Sequence, residues 1–457
     1  MKRKHLVTAM AWSLALAAIC AVGSAWAEPG APCTYCIVGT GQRHIFSDSR
    51  QLLTAPRPGQ PFFGQDAFYP GPAPSYRDNG DGTVRDLNTG LTWVQARGAK
   101  LTWEAAMAGA SACRVGGRDD WRMPTIKELY SLINFNGGYH PEGKSTPYLD
   151  VKYFRFAYGD ESQGERAIDC QDWSATEYVS TTMNGNPTVF GVNFADGRIK
   201  GYPKQRRGPY GLSVNKLYAR YVRGNPKYGR NAFHDNGDGT VSDRATGLMW
   251  SKADSRVGMD WQSALAWIQT KNAERYHGYR DWRLPNAKEL QSIVDYTRAP
   301  AVTHSPAIDP IFQTTRLRSG EYPYFWSSTT HLDGPSDRQG MAAVYVAFGR
   351  ALGWMQFPPG EGEYRPLDVH GAGAQRSDPK SGDPAAFPHG RGPQGDDIRI
   401  DNYVRPVRYV NTQLNRLAAP ELTPLPGARG RPEGPWGEPG MGPPPGGRRP
   451  PPRWPGW

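Results

Sequence analysis

The chain of 457 residues contains the same four sequence blocks twice, in the same order, and this repetition constrains its fold more than any other feature. The paired blocks are 76–93 with 233–250, 120–129 with 281–290, 173–176 with 326–329, and 221–223 with 403–405. Insertions occur only between the blocks. A fixed order with variable spacing indicates two diverged copies of one domain.

Each copy begins with the pattern of a β-hairpin. The dipeptides at 79–80 and 81–82 are Asn-Gly and Asp-Gly, and glycine accepts the positive φ that tight turns require. The runs 83–86 and 91–93 alternate like short strands. We therefore predict a hairpin here and another at the matching positions of the second copy.

Two helices are predicted to follow each hairpin. Thr102 in the first copy and Asp260 in the second precede apolar residues at helical spacing and are expected to cap the first helix. Thr125 with Glu128 fits a capping box for the second helix, and its counterpart lies at 286–289. Because strands and helices do not alternate regularly, we predict an α+β fold with mostly antiparallel sheet and two helices in each copy.

Composition predicts the parts outside this framework. Residues 1–27 fit a secretory signal peptide, with a basic start, an apolar stretch and small residues before a cleavage site after Ala27. We therefore expect an exported chain, periplasmic, outer-surface or extracellular, with no transmembrane segment once the signal is removed. The other predicted parts are a Pro/Gly-rich N-terminal wrap at 28–75, domains at 76–224 and 233–410, a linker at 225–232, an insertion at 358–397, and a disordered tail at 411–457.

Four cysteines follow the predicted signal peptide: Cys33, Cys36, Cys113 and Cys170. An even number in an exported chain predicts disulfides, with three possible connectivities. The spacing of Cys33 and Cys36 also suits a redox pair or half of a metal site. Loop-forming residues surround that pair and no second pair of this spacing exists, so a structural disulfide is the preferred interpretation.

The repeated motifs resemble those of the Lcl C-terminal domain family. The matching words are DNGDGTV, DWR followed by Met or Leu and Pro, KEL, WS followed by Ser or Ala and Thr, and YVR. Each occurs twice, and the resemblance covers about 76–223 and 233–409. It implies an adhesive or binding module, since the family is named after a domain of a collagen-like adhesin that binds host glycosaminoglycans. It also implies a fold related to C-type lectins and formylglycine-generating enzymes.

The chain departs from the family at one cysteine. The family often reads Val-Arg-Cys-Val-Arg near its end, and that cysteine suits pairing with a helix cysteine such as Cys113. Tyr221 and Pro406 stand there in the two copies. Under this resemblance Cys113 needs another partner, and we expect Cys170.

The aspartate-rich turns suggest two interpretations. The candidate calcium ligands are Asp78, Asp81 and Asp86 in the first copy and Asp235, Asp238 and Asp243 in the second. The EF-hand pattern is not met, because Arg77 and His234 stand where its first carboxylate would be. A glycine-turned hairpin without metal is therefore preferred, and a calcium site of another type is the alternative.

A basic segment separates the two copies. Between Gly197 and His234 there are ten Lys or Arg residues and no Asp or Glu. The candidate polyanion-binding residues are Arg198, Lys200, Lys204, Arg206, Arg207, Lys216, Arg220 and Arg223. Arginine forks suit sulfate, and interleaved tyrosines suit the faces of sugars. The alternative is a solvated segment whose cations pair with acids from elsewhere, and export argues against nucleic acid as a partner.

The Asp120-Trp121-Arg122 motif and its repeat at 281–283 also allow two interpretations. One is a ligand clamp, and the preferred one is a core tryptophan beside an Asp–Arg pair that ties strand to helix. The Trp-Ser-Ser/Ala-Thr block is likewise assigned to packing and turns.

No catalytic motif of the HExxH, GxSxG or P-loop type occurs, so no enzyme is predicted. The leading hypothesis is an exported, non-catalytic binding or adhesion module for glycans or for sulfated or acidic polymers. Its alternatives are a structural envelope component that holds a protein partner, and an unrecognised hydrolase.

Overall fold

The computed structural model describes residues 33–208, 211–335, 339–357 and 362–425. The predicted signal peptide, the tip of the predicted insertion at 358–361 and the predicted tail beyond 425 lie outside the described residues. Among the described residues, no helix has the length and apolar composition needed to cross a bilayer.

The two copies contain corresponding series of elements. The first copy has β1 (Tyr76–Asp78), β2 (Thr83–Asp86), β3 (Thr92–Val94), α1 (Trp103–Ala112), α2 (Ile126–Ser131), β4 (Asp172–Thr182), β5 (Asn186–Asn193), β6 (Arg198–Pro203), β7 (Gln205–Gly208), β8 (Gly211–Val214) and β9 (Val222–Arg223). The second has β10 (Phe233–Asp235), β11 (Thr240–Asp243), β12 (Leu248–Ser251), α3 (Trp261–Ala273), α4 (Ala287–Ser292), α5 (Pro300–Thr303), β13 (Tyr324–His331), β14 (Ala342–Ala347), β15 (Leu352–Phe357), β16 (Glu363–Asp368), β17 (Gln375–Pro379) and β18 (Val407–Tyr409).

Each copy forms a small antiparallel sheet, in the orders β1-β2-β3-β9 and β10-β11-β12-β18. The predicted hairpins are confirmed, since β2 pairs with β3 and β11 pairs with β12 in the same register.

The match of the last block needs a correction. β9 pairs through Val222 with Trp93, and β18 pairs through Val407 with Trp250. Arg223 therefore corresponds to Arg408, three residues beyond the position predicted from the words YVR.

The two copies share one larger antiparallel sheet. Its order is β13-β14-β17-β6-β5-β4, so the second copy supplies one half and the first copy the other. The halves join where Gln375 of β17 pairs with Ile199 of β6. β17 lies within the predicted insertion at 358–397, which therefore includes a strand of the core sheet as well as added loops. The two copies therefore form one body, and we call the junction between β17 and β6 the seam.

The second helix of each copy packs against one face of the shared sheet. The capping boxes of α2 and α4 are confirmed, with reciprocal bonds between Thr125 and Glu128 and within the matching pair at 286–289. A further cap was missed from the sequence: the hydroxyl oxygen of Thr176 accepts from the backbone N–H of Ile126 over 2.9 Å. Thr329 repeats this bond at the start of α4. The Trp-Ser-Ser/Ala-Thr block therefore fixes the second helix to the edge strand of each half.

The first helix of each copy is held by tryptophans. Thr102 and Asp260 cap α1 and α3 as predicted. The indole N–H of Trp173 donates to the carbonyl of Leu101 over 2.9 Å, and Trp326 makes the matching bond to Met259. Both indoles are fully buried. The repeated aromatic positions are therefore anchors of the core.

The segments that flank the repeats also cross both copies. The side-chain amide of Gln42 donates to the carbonyls of Phe135 in the first copy and Thr330 in the second, over 3.2 and 2.8 Å. The predicted wrap thus contacts both copies. Part of the predicted tail is ordered, because the backbone N–H of Glu421 donates to Arg43 of the wrap over 2.9 Å.

Candidate functional site

Of the predicted polyanion-binding residues, Arg220 is buried, and Arg198 and Lys200 are half-buried. Arg220 donates to the carbonyls of Val94 and Arg155 over 2.9 Å each and is fully buried. Burial lowers its pKa to about 10. Arg405 makes the corresponding bonds in the second copy. Arg220 is therefore a structural residue of the repeat and does not face a ligand at the surface.

Arg198 and Lys200 lie at the seam of the shared sheet. Arg198 donates to Asp333 of the second copy over 2.6 Å and forms an ion pair of 3.2 Å with Asp196. Lys200 donates to the same Asp196 carboxylate over 3.0 Å. Burial alone would raise the pKa of Asp196, but Lys200 and Arg198 hold it well below its ordinary value. The alternative interpretation, pairing with acids from elsewhere, describes these two cations.

Residues of the second copy complete this group. His331 stacks on Tyr148 and contacts the carbonyl of Asp196 through Nε2 over 2.9 Å. Arg376 and His370 both bind the carboxylate of Asp396, His370 over 2.7 Å. We call the whole group the seam cluster; it consists of Asp196, Arg198, Lys200, Tyr202, His331, Asp333, His370, Arg376 and Asp396. Sequence reasoning missed the second-copy members, because only the tertiary fold brings them to β6.

The remaining predicted cations lie at the surface of the first copy. Lys204 pairs with Glu177 over 2.8 Å and lies 3.7 Å from the ring centroid of Trp103. Arg206 and Lys216 are exposed, and neither has a carboxylate within 4.0 Å among the residues that the structure describes. Arg207 falls in β7, and its side chain lies outside the described part.

These surface cations are neighbours. β7 and β8 form a hairpin in which Arg206 pairs with Ser213, and the backbone N–H of Asn215 donates to the carbonyl of Lys204 over 2.9 Å. Partial desolvation and the positive charge of Arg166 lower the pKa of Arg206. We call the surface formed by Lys204, Arg206 and Lys216, with Trp103 and Arg166 beside them, the basic face. Among the described residues, two of its cations have no carboxylate within 4.0 Å, and the third, Lys204, lies over an aromatic ring.

Arg223 belongs to a different contact. Its Nε donates to Asp120 over 2.6 Å, and Arg408 makes the matching bond to Asp281. The predicted Asp–Arg pair within the Asp-Trp-Arg motif is therefore wrong. The motif's own arginine, Arg122, instead binds Glu128 of the capping box over 2.6 Å. The motif joins strand to helix as expected, but through partners outside itself.

The structure does not bring the predicted calcium ligands together. Asp81 accepts from the backbone N–H of Thr83 over 3.0 Å, and Asp78 accepts from that of Gly80 over 2.9 Å. Asp86 lies opposite Tyr76, at the far end of the hairpin. The second copy repeats the turn bonds at 235–240. In the described part of the chain, no group of three or more His, Cys, Asp or Glu residues forms a metal-binding set.

The structure also corrects the prediction of disulfides. Cys33, Cys36, Cys113 and Cys170 are free thiols in the structure. The proposed Cys113–Cys170 bond is wrong because the two residues have separate surroundings. Cys170 is buried against Asn193 and the carbonyl of Ala167, whereas Cys113 ends α1 near Tyr221. Tyr221 thus stands beside Cys113, at the position that the resemblance gives to a partner cysteine.

The fold and these sites define a tandem-repeat α+β protein whose two copies share one antiparallel sheet. A family model for the Lcl C-terminal domain matches residues 82–214 and 239–363, one segment in each copy. The chain therefore belongs to the Lcl C-terminal domain family, with two tandem copies. No curated protein and no solved structure matches it.

Proposed function

We propose that this chain is an exported, non-catalytic binding protein that recognises sulfated or carboxylated polymers, glycans in particular, through the basic face. The observation that carries the proposal is the pair of exposed cations, Arg206 and Lys216, that have no carboxylate partner among the described residues. Unneutralised surface charges of one sign concentrate positive potential and attract a polyanion.

The surroundings of the two cations fit such a ligand. Trp103 is partly exposed and lies under Lys204 of the basic face, so an aromatic ring for a sugar adjoins the charges. Lys204 and Arg206 lie at the start of the β7–β8 hairpin and Lys216 lies just after its end, so an extended chain has several charges within reach. The proposal includes a fold related to C-type lectins, which the family resemblance implies.

Heparin-affinity chromatography tests the proposal. The mature chain should be retained, and the double variant Arg206→Gln/Lys216→Gln should elute at a lower NaCl concentration because two charge contacts are removed. Arg114→Gln/Lys144→Gln is the matched control, since it removes two exposed charges outside the basic face. Equal elution of the two double variants would contradict the proposal. No retention at all would favour the alternative of an envelope component with a protein partner.

A further inference from the structure

The seam cluster contains buried hydrogen-bond donors that have no partner among the described residues. They are Nε and Nη1 of Arg376 and the hydroxyl of Tyr202. Each of the two residues is only 8% exposed. Buried donors are nearly always satisfied in folded proteins, so a group of unsatisfied ones indicates an occupant.

Burial lowers the pKa of two cations of the cluster. Burial lowers the pKa of Lys200 to about 8 even though Asp196 favours its charged form, and Arg376 and Arg198 repel it. Burial and the charge of Arg198 lower the pKa of Arg376 to about 10, although it binds Asp396. Burial is the largest cause of both shifts, and the cluster has as many carboxylates as cations. The free donors, not a net positive charge, therefore decide which occupant fits.

Two acceptors of the cluster, Asp196 Oδ1 and His370 Nδ1, likewise have no partner in the described part of the chain. Water satisfies such acceptors, since it both donates and accepts. The donors on Arg376 differ, because a charged guanidinium forms its strongest bonds with an oxoanion. A test must therefore separate an anion from ordered water.

The cluster adjoins the basic face. Tyr202 lies near the end of β6, two residues before Lys204, and interacts electrostatically with both Arg166 and Arg206. Asp396, which binds Arg376, lies at the end of a glycine-rich loop in which Gly390, Gly392 and Gly395 have positive φ. A short loop and a surface rich in cations thus border the buried donors.

We propose that the seam cluster binds a small oxoanion of the sulfate or carboxylate type, held by Arg376, Lys200 and Tyr202. The oxoanion is either a substituent of a polymer on the basic face, in which case this inference rests on the proposed function, or a free ion. Because Arg376 comes from the second copy and the other two residues from the first, only the tandem arrangement forms the site.

Isothermal titration of the mature chain with sodium sulfate tests the site. We expect saturable binding, and Tyr202→Phe should weaken it about tenfold because it removes one hydrogen bond to a charged group. That hydroxyl has no partner among the described residues, so the variant should keep the melting temperature of the parent. Tyr130→Phe is the matched control: it removes another unpartnered buried hydroxyl, from a tyrosine outside the seam cluster, and should bind sulfate like the parent.

Arg376→Met should abolish sulfate binding, and near-ultraviolet circular dichroism checks that this variant folds. If it does not fold, Tyr202→Phe carries the test. Crystals grown with selenate should show an anomalous peak beside Nε of Arg376. Water alone at that position, or equal sulfate affinity in the parent and in Tyr202→Phe, would overturn the proposal.

A sulfated heparin tetrasaccharide distinguishes the two sources of the oxoanion. If Tyr202→Phe weakens both the tetrasaccharide and sulfate, a polymer substituent enters the seam. If it weakens sulfate alone, the site takes a free ion. Failure of the Arg206/Lys216 experiment leaves the sulfate and selenate results unaffected, so the two proposals fail independently.

Discussion

Lys127 and Lys288 occupy equivalent positions in the two copies, and each donates a hydrogen bond to the other copy. Nζ of Lys127 donates to the carbonyl of Ser292 over 2.6 Å, and Nζ of Lys288 donates to that of Ser131 over 2.8 Å. The two serines are the last residues of α4 and α2. The lysine of the repeated KEL motif thus joins the copies reciprocally, so the same residue that belongs to each repeat also holds the repeats together.

Lys288→Met should alter how stability depends on pH. Burial lowers the pKa of Lys288 to about 7 from an ordinary value of 10.5, so between these values the unfolded chain binds the additional proton. The stability that Lys288 contributes therefore rises with pH above 7, by at most about 1.4 kcal/mol per pH unit. In urea unfolding at pH 7, 8 and 9, the unfolding free energy of the parent should rise relative to that of the variant. A difference in unfolding free energy that stays constant with pH would contradict the lowered pKa of Lys288.

Asp66→Asn should have the opposite pH dependence. Asp66 is fully buried, accepts from the hydroxyls of Thr40 and Thr329 over 2.7 and 2.6 Å, and burial raises its pKa to about 7 from 3.8. The folded chain then binds the additional proton between pH 3.8 and 7, so stability is lost as pH rises through this range. The uncharged variant avoids that loss, by about 4 kcal/mol at most. Thermal unfolding at pH 5 and 7.5 checks this: an unchanged difference between variant and parent contradicts it.

Arg283→Met and Arg122→Met form a matched pair across the copies. Arg283 binds Glu289 with both side chains 2% exposed, whereas Arg122, which binds Glu128, is 36% exposed. Removing one partner of a buried ion pair costs about 3–5 kcal/mol because a charge is left buried and alone. We expect Arg283→Met to approach this loss and Arg122→Met to lose less. Equal unfolding free energies of the two variants would contradict the burial difference.

The four thiols should differ in reactivity. Cys33 is exposed, whereas burial raises the pKa of Cys36 to about 11 and that of Cys170 to about 12. Since the thiolate is the reactive form, brief alkylation of the native mature chain should label Cys33 first and Cys170 last. Peptide mass spectrometry reads the order. Recovery of a peptide with Cys113 linked to Cys170 would contradict the free thiols seen in the structure.

Local features of the fold were predictable from the sequence. The turn glycines, the caps at Thr102 and Asp260, and the capping box of Thr125 with Glu128 depend on residues within a few positions of one another, and each is confirmed. Local chemistry alone determines such elements.

Long-range partners were not predictable in the same way. Arg122 is adjacent to Trp121 and two positions from Asp120 in sequence, yet it binds Glu128, while Asp120 binds Arg223 about a hundred residues later. Likewise, the pairing of Gln375 with Ile199 joins strands from different copies. The periodicity of apolar residues does not show which strands are neighbours in a sheet. Among the predicted cations, the sequence shows charge but not burial, and therefore could not separate Arg220 from Arg206.

The proposed recognition of acidic polymers is tested most directly by titrating the mature chain with heparin oligosaccharides of one length, fully sulfated and fully desulfated. Tryptophan fluorescence reports binding, because Trp103 lies beneath Lys204 in the basic face. We expect saturable binding of the sulfated oligosaccharide that weakens as NaCl rises, no binding of the desulfated one, and a several-fold loss of affinity in Arg206→Gln/Lys216→Gln. Equal affinity for both oligosaccharides, or full affinity in the double variant, would contradict the proposed recognition.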